Sequence, residues 1–178
     1  KVTYLEGYLW DDPRAKAAIA DAAAIAHQHG RKVSLTLSDP FCVERHRDTF
    51  LELIRDHVDI LFANEAEITA LFQTDSFDEA AKRVAAFTSV AVLTRSAKGS
   101  VVVADGEQVS VPAKPVNKVV DTTGAGDLYA AGFLYGYTQG KDWATCARLG
   151  GLCAAEVISH MGARPETSLA DLAREADL

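Results

Sequence analysis

Four short apolar runs recur in the first half of the chain, at residues 2–5, 33–37, 60–63 and 90–93, and the segments between them are long enough to carry helices. Strands linked in that way return to the same end of a sheet, so each run is placed parallel to the one before it. The chain is thereby constrained to an α/β fold with a largely parallel sheet. Helix signals fill the gaps. Asp12 and Pro13 supply an N-cap and a first-position proline for a helix through Ala26, and Gly30 stops it. Val33, Leu35 and Leu37 form the next strand and Ser38-Asp39-Pro40 a turn. A helix over residues 44–56 follows, with Phe50, Leu53 and Ile54 on its apolar face. Asn64 and Ser76 each stand three residues before a glutamate, Glu67 and Glu79, the spacing of a capping box, which opens helices near residues 65–72 and 77–87. Two further strands, 100–104 and 108–111, flank Asp105-Gly106, which reads as a local antiparallel hairpin. Helices ending at Tyr137 and near Ser159 complete the pattern.

Charge and cysteine usage narrow the function classes. Eighteen Lys and Arg against 25 Asp and Glu leave a net charge of -7. Nucleic-acid and membrane-surface binding rest on clustered cations, so a small-molecule partner is expected. No run is long enough to cross a bilayer and no secretory leader opens the chain, which places the expected location in the cytoplasm. Cys42, Cys146 and Cys153 are odd in number with no C-x-x-C spacing, so reduced, buried thiols are expected rather than a disulfide framework or zinc site. The chain starts at Lys1 immediately before a strand-like run, and its single methionine is Met161. It is read as a fragment.

The most informative segment is Gly124-Ala125-Gly126-Asp127, between an extended stretch and a helix of small and apolar residues. Glycine and alanine let backbone N–H groups approach an oxyanion, and the uncapped amides and dipole of a helix start favour negative charge there. A carboxylate one residue later is placed to accept a proton from an alcohol in line with a transferring phosphoryl group. Spacing alone leaves a second reading open, a glycine-rich helix start with Asp127 as an ordinary first-turn acid. A dinucleotide fingerprint is excluded because Tyr129 stands where its third glycine would be, and no Walker A loop is present.

The run Asp121-Thr122-Thr123-Gly124-Ala125-Gly126-Asp127-Leu128-Tyr129-Ala130-Ala131-Gly132-Phe133-Leu134 resembles the C-terminal signature of the PfkB, or ribokinase-like, carbohydrate and nucleoside kinases. The resemblance implies a layered α/β/α fold, ATP and Mg2+ as cofactors, and phosphoryl transfer to a sugar or nucleoside hydroxymethyl group. It makes Asp127 the catalytic base and Gly124, Ala125 and Gly126 an anion hole. Asn64-Glu65-Ala66-Glu67 resembles the family's N-x-x-E motif, whose acid organises magnesium through water. The same four residues also read as a plain capping box. Thr94-Arg95-Ser96-Ala97-Lys98-Gly99 resembles the nucleotide-phosphate loop at Thr94 and Gly99 only, and a strand-to-strand turn accounts for it equally. Asp121 and Thr123, with the loop His160-Met161-Gly162-Ala163, fall where some members bind a monovalent cation such as K+; an Asx-type cap is the alternative for Asp121.

Asp39-Pro40-Phe41-Cys42-Val43-Glu44-Arg45-His46-Arg47 resembles a loop of bacterial adenosine-kinase-like members. The resemblance runs from Gly7 to Gly162 and corresponds to the C-terminal part of a longer fold. It implies that residues 1–178 form a single nucleotide-binding and catalytic portion truncated at its N-terminus. The lid and acceptor-binding portion would be missing, and the fragment by itself inactive. A homodimer is compatible with it. The rival readings are a nucleotide-binding or regulatory module without kinase activity, and a purely structural partner domain.

Overall fold

Six strands form one sheet in the order of the sequence, β1 (Val2–Glu6), β2 (Lys32–Thr36), β3 (Ile60–Asn64), β4 (Val90–Thr94), β5 (Ser100–Ala104) and β6 (Glu107–Val111). The computed structural model describes all 178 residues, 1–178. The first four strands pair in parallel, with Leu5 beside Leu35, Leu35 beside Leu61, and Asn64 beside Thr94. Asp105 and Gly106 both adopt positive φ, 55° and 79°, as the tight hairpin turn between β5 and β6 requires. The chain divides into two units, residues 1–94 with 103–108, and residues 95–102 with 109–178.

In the first unit, α1 (Pro13–Gln28), α2 (Pro40–His57), and α3 (Glu65–Phe72) with α4 (Phe77–Val84) make the crossovers between parallel strands. Four of the five residues in each of β3 and β4 are buried, the near-continuous apolar pattern of strands covered on both faces. Val33, Leu35, Phe50, Ile54, Leu61 and Leu71 have no exposed surface. At about 1.5–3 kcal/mol for each large side chain, their burial is the main stabilising term. Asp59, before β3, accepts from His27 Nε2 at 2.9 Å, Lys32 Nζ at 2.7 Å and the Val33 amide at 2.9 Å, tying α1 and β2 to β3.

Several element boundaries differ from expectation, most clearly where a helix cap stands in place of a turn. Asp39 and Pro40 do not form a turn outside the helix: the Asp39 carboxylate accepts from the Cys42 amide at 2.9 Å, and Pro40 is the first residue of α2. The helix is kinked at His46, where φ is -124° and ψ 18°. α1 runs two residues beyond Ala26, α4 ends at Val84 rather than 87, and a 3₁₀ turn at Gly7–Asp11 follows β1.

In the second unit, α5 (Ala125–Thr138) and α6 (Trp143–Val157) form a close pair. A Cβ at Gly132 would lie 2.5 Å from the Leu149 carbonyl oxygen, and one at Gly150 would lie 2.8 Å from that of Tyr129, so these glycines set the helix spacing. Trp143 stacks on Phe133 and Tyr137, and the buried Tyr129 hydroxyl donates to Ser100 Oγ at 2.7 Å. Residues 169–175 form α7 (Leu169–Glu175), whose Leu169, Leu172 and Ala173 pack with Leu149, Leu152 and Cys153 of α6. All three cysteines are free and buried, as expected. No helix is long and apolar enough to cross a membrane.

Candidate active site

An extended stretch enters the glycine-rich turn of the second unit with the Val120 amide donating to the Ile158 carbonyl at 2.8 Å. Asp121 then organises the turn. Its Oδ1 accepts from Thr123 Oγ1 at 2.7 Å and from the Thr123 amide at 2.9 Å, and its Oδ2 accepts from the Gly162 amide at 3.0 Å. The Thr123 hydroxyl first, then the Gly162 and Thr123 amides, hold this carboxyl down at about 2. Gly124 caps α5 with φ 78°, a left-handed conformation that a Cβ disfavours. A Cβ there would also lie 2.8 Å from that of Ala163.

The first amides of α5 have unequal fates. The Ala125 amide donates to the Thr122 carbonyl at 3.1 Å, and the Leu128 amide to the Gly124 carbonyl at 2.9 Å. The Gly126 and Asp127 amides close no bond of this kind, as expected of a first helical turn. A Cβ at Gly126 would meet nothing within 4 Å, and both Gly126 and the Asp127 carboxylate are exposed. Two outward amides, the positive end of a helix dipole and a carboxylate therefore stand together at an open surface, a combination that can receive an oxyanion and a proton.

Residues 160–167, which contain no helix or strand, are held by a second carboxylate, Glu156 on the last turn of α6. Glu156 is 9% exposed. Its Oε1 accepts from the Glu166 amide at 2.8 Å, the Thr167 amide at 2.9 Å and Thr167 Oγ1 at 3.1 Å, while Oε2 faces His160 Nε2 at 3.3 Å. Burial works to raise its pKa, but the Thr167 and Glu166 amides, His160 and the Thr167 hydroxyl together hold it below the usual range. The Met161 carbonyl, and then Glu156 and Glu166 against desolvation, raise that of His160.

In the first unit the candidate residues Asn64, Glu67 and Thr94 stand at the carboxyl ends of β3 and β4, the ends at which open α/β sheets bind ligands. Asn64 ends β3 and caps α3: its Oδ1 accepts from the Glu67 amide at 2.9 Å, and its own amide donates to Glu67 Oε2 at 2.9 Å. Asn64 Nδ2 also donates to Glu67 Oε1 at 2.6 Å, so the capping box is complete. Burial pushes the Glu67 carboxyl up to about 7, against the Asn64 amide, and the neighbouring Asp39 adds to the rise. Each Glu67 oxygen retains a lone pair for another donor, and hard carboxylate oxygen suits magnesium. Thr94, at the end of β4, is half-buried.

At residues 95–99 of the second unit, the Arg95 amide donates to the Gly99 carbonyl at 2.7 Å and the Gly99 amide to that of Ser96 at 3.0 Å. Gly99 has φ 88°, and a Cβ there would run into the Val111 carbonyl and the backbone of residues 112–113. The turn and the close approach of that segment thus account for glycine at 99. Gly150 meets Tyr129, whereas Gly151 faces open space. No cluster of three or more His, Cys, Asp or Glu side chains is arranged to hold a metal ion.

Sequence reasoning brought the 160–163 loop to Asp121, and the structure joins them through Gly162. It missed Glu156. The available signal was a lone carboxylate in the small, apolar run Ala154-Ala155-Glu156-Val157.

The arrangement has close counterparts. An adenosine kinase structure from Sinorhizobium meliloti superposes with a TM-score of 0.97 at 56% identity, over 99% of this chain and 54% of that one. The structure of a probable sugar kinase from Rhizobium etli gives the same values. A cytidine kinase from Thermococcus kodakarensis is 34% identical over 138 residues, 75% of this chain and 49% of that protein. The chain spans about half the length of the curated relatives it matches. The profile described as pfkB family carbohydrate kinase covers residues 1–169, and the chain belongs to that family.

Proposed function

We propose that the protein containing this chain transfers the γ-phosphoryl group of ATP to a hydroxymethyl group of a nucleoside or sugar. The observation that carries this reading is the exposed Asp127 carboxylate on the first turn of α5, beside the outward amides of Gly126 and Asp127. In the proposed step Asp127 takes the proton of the acceptor hydroxyl while that oxygen forms its bond to phosphorus and the bond to the ADP oxygen breaks. The residue 124–126 turn stabilises the equatorial charge: Gly126, with Asp127, supplies amides, Gly124 sets the backbone direction, and Ala125 holds the turn through Thr122.

In the first unit we assign Asn64 and Glu67 to the magnesium side of the nucleotide, Glu67 through water, and Thr94 to its phosphates. When bound, magnesium neutralises phosphate charge. Gly99 is assigned to shaping the 95–99 turn, and Asp121 and Thr123 to the oxygen-rich bend at which a monovalent cation would sit. The nucleoside names of the adenosine and cytidine kinase relatives favour a nucleoside as first acceptor to test.

The test is phosphate transfer from ATP by the complete gene product, with adenosine, cytidine, ribose and fructose as acceptors, comparing the wild type with Asp127→Asn. The variant is expected to lose ~10²–10⁴-fold in kcat while still binding ATP. Undiminished turnover would remove Asp127 from the role of base. ATP binding with no transfer to any acceptor would favour a nucleotide-binding module.

A further inference from the structure

The turn that presents the Gly126 and Asp127 amides does not stand alone. It is backed by the irregular segment 160–167, whose Ala163 lies so close to Gly124 that no side chain fits between them. That segment has two carboxylate anchors within the same unit. Asp121 takes the Gly162 amide, and the buried Glu156 takes the Glu166 and Thr167 amides and the Thr167 hydroxyl while facing His160. Between the anchors the segment is exposed and makes no helix or strand, so the placement of Ala163 depends on where its ends are held.

We propose that Glu156 is a positioning residue for phosphoryl transfer: by holding segment 160–167 it seats Ala163 against Gly124 and so sets the direction of the amides that open α5. The inference rests on the reading of residues 124–127 as the phosphoryl-binding turn. The role is geometric. Oε1 alone satisfies three donors, so a glutamine keeps the anchor, with its amide nitrogen donating to a neutral His160. An alanine removes it and leaves two backbone amides and a hydroxyl unpaired. Small misplacements of catalytic groups are expensive, on the order of 10²-fold for 1 Å.

The experiment uses the complete gene product with the acceptor found above, and variants Glu156→Ala, Glu156→Gln and Ala163→Gly. Glu156→Ala is expected to lower kcat about ten-fold or more with the KM for ATP and acceptor little changed, and Glu156→Gln to restore most of it. Residue-resolved amide exchange should speed at Ala125 and Leu128, whose bonds close the turn, in Glu156→Ala but not in Glu156→Gln. Ala163→Gly loosens the same seat from an exposed position, so it decides the matter if Glu156→Ala does not fold. Its kcat should fall likewise, and where both single variants fold, the double variant should lose no more than the larger single loss.

Wild-type kcat and unchanged exchange at Ala125 and Leu128 in Ala163→Gly or Glu156→Ala would overturn the proposal. So would a Glu156→Gln variant as impaired as Glu156→Ala. A wild type that phosphorylates no acceptor would remove the kinase reading instead, and the exchange measurement would still decide whether Glu156 holds the turn.

Discussion

Gly124 and Gly126 are two residues apart, yet adding one methyl group to each should give opposite results. At Gly124 the backbone is left-handed and the new Cβ would lie 2.8 Å from that of Ala163. The conformation costs ~1–2 kcal/mol and the overlap ~1–3 kcal/mol, so Gly124→Ala should destabilise the fold by about 2–5 kcal/mol. Gly126 lies inside α5, and its Cβ would enter open space. Replacing a helical glycine by alanine there should leave stability unchanged or raise it by up to about 1 kcal/mol. Side chains on a helix lean towards its N-terminus, so the methyl would project into the space proposed for the phosphoryl group. Gly126→Ala should therefore lower kcat about ten-fold or more in a protein at least as stable as the wild type. Urea denaturation followed by circular dichroism measures the first effect, and the m-value should be constant across the three proteins. ATP-dependent turnover measures the second. A Gly124→Ala variant within about 0.5 kcal/mol of wild type would refute the close approach to Ala163. Full turnover by Gly126→Ala would refute the assignment of its amide face.

Two further predictions concern pH. Glu67 is held near 7 against an ordinary value of 4.5, so its protonated form is favoured in the folded state. The associated stability is fully present below 4.5 and is lost as pH rises to about 7, up to ~3 kcal/mol at 1.36 kcal/mol per unit. Denaturation midpoints of wild type and Glu67→Gln across pH 4–8 should diverge in that window, and a constant difference would refute the burial argument. Asp121 has the opposite sign: held at about 2 from 3.8, it contributes stability that is present above 3.8 and disappears as pH falls through about 2. Asp121→Asn should lose that acid dependence and release the Gly162 amide to faster exchange. An unaltered acid limb would show that the carboxylate does not anchor the 160–163 loop.

Local backbone signals carried most of what could be read in advance. The four parallel strands, the Asn64–Glu67 box, the Asp105-Gly106 turn and the glycine-rich start of α5 each depend on residues within a few positions of one another, and each forms as expected. The Asp39-Pro40 pair was legible too, since Asp12-Pro13 is the same cap and first-position proline. A short turn satisfies the same residues, so the pair by itself does not decide between turn and helix start. α7 was missed although Leu169, Leu172 and Ala173 show helical spacing after Ser168, because one turn and a half of pattern is weak evidence without the α6 surface that buries it.

Glu156 failed to register for a different reason. Its backbone partners lie 10 and 11 residues ahead in a segment with no periodicity, so the apolar run around it marks the carboxylate as unusual without saying what it holds. The proposed site divides along the same line. The groups that would touch phosphate lie in the short run from Asp121 to Asp127, whereas those proposed to fix their direction lie in a separate stretch, of which the resemblance names Gly162 and Ala163 but not Glu156. A chain with the right motif and a wrong residue at 156 would therefore still match the family run while presenting its amides poorly. Transplanting residues 121–127 into another helix start should accordingly carry over the capping geometry but not the catalytic alignment, which requires the segment behind Gly124 to be anchored from α6.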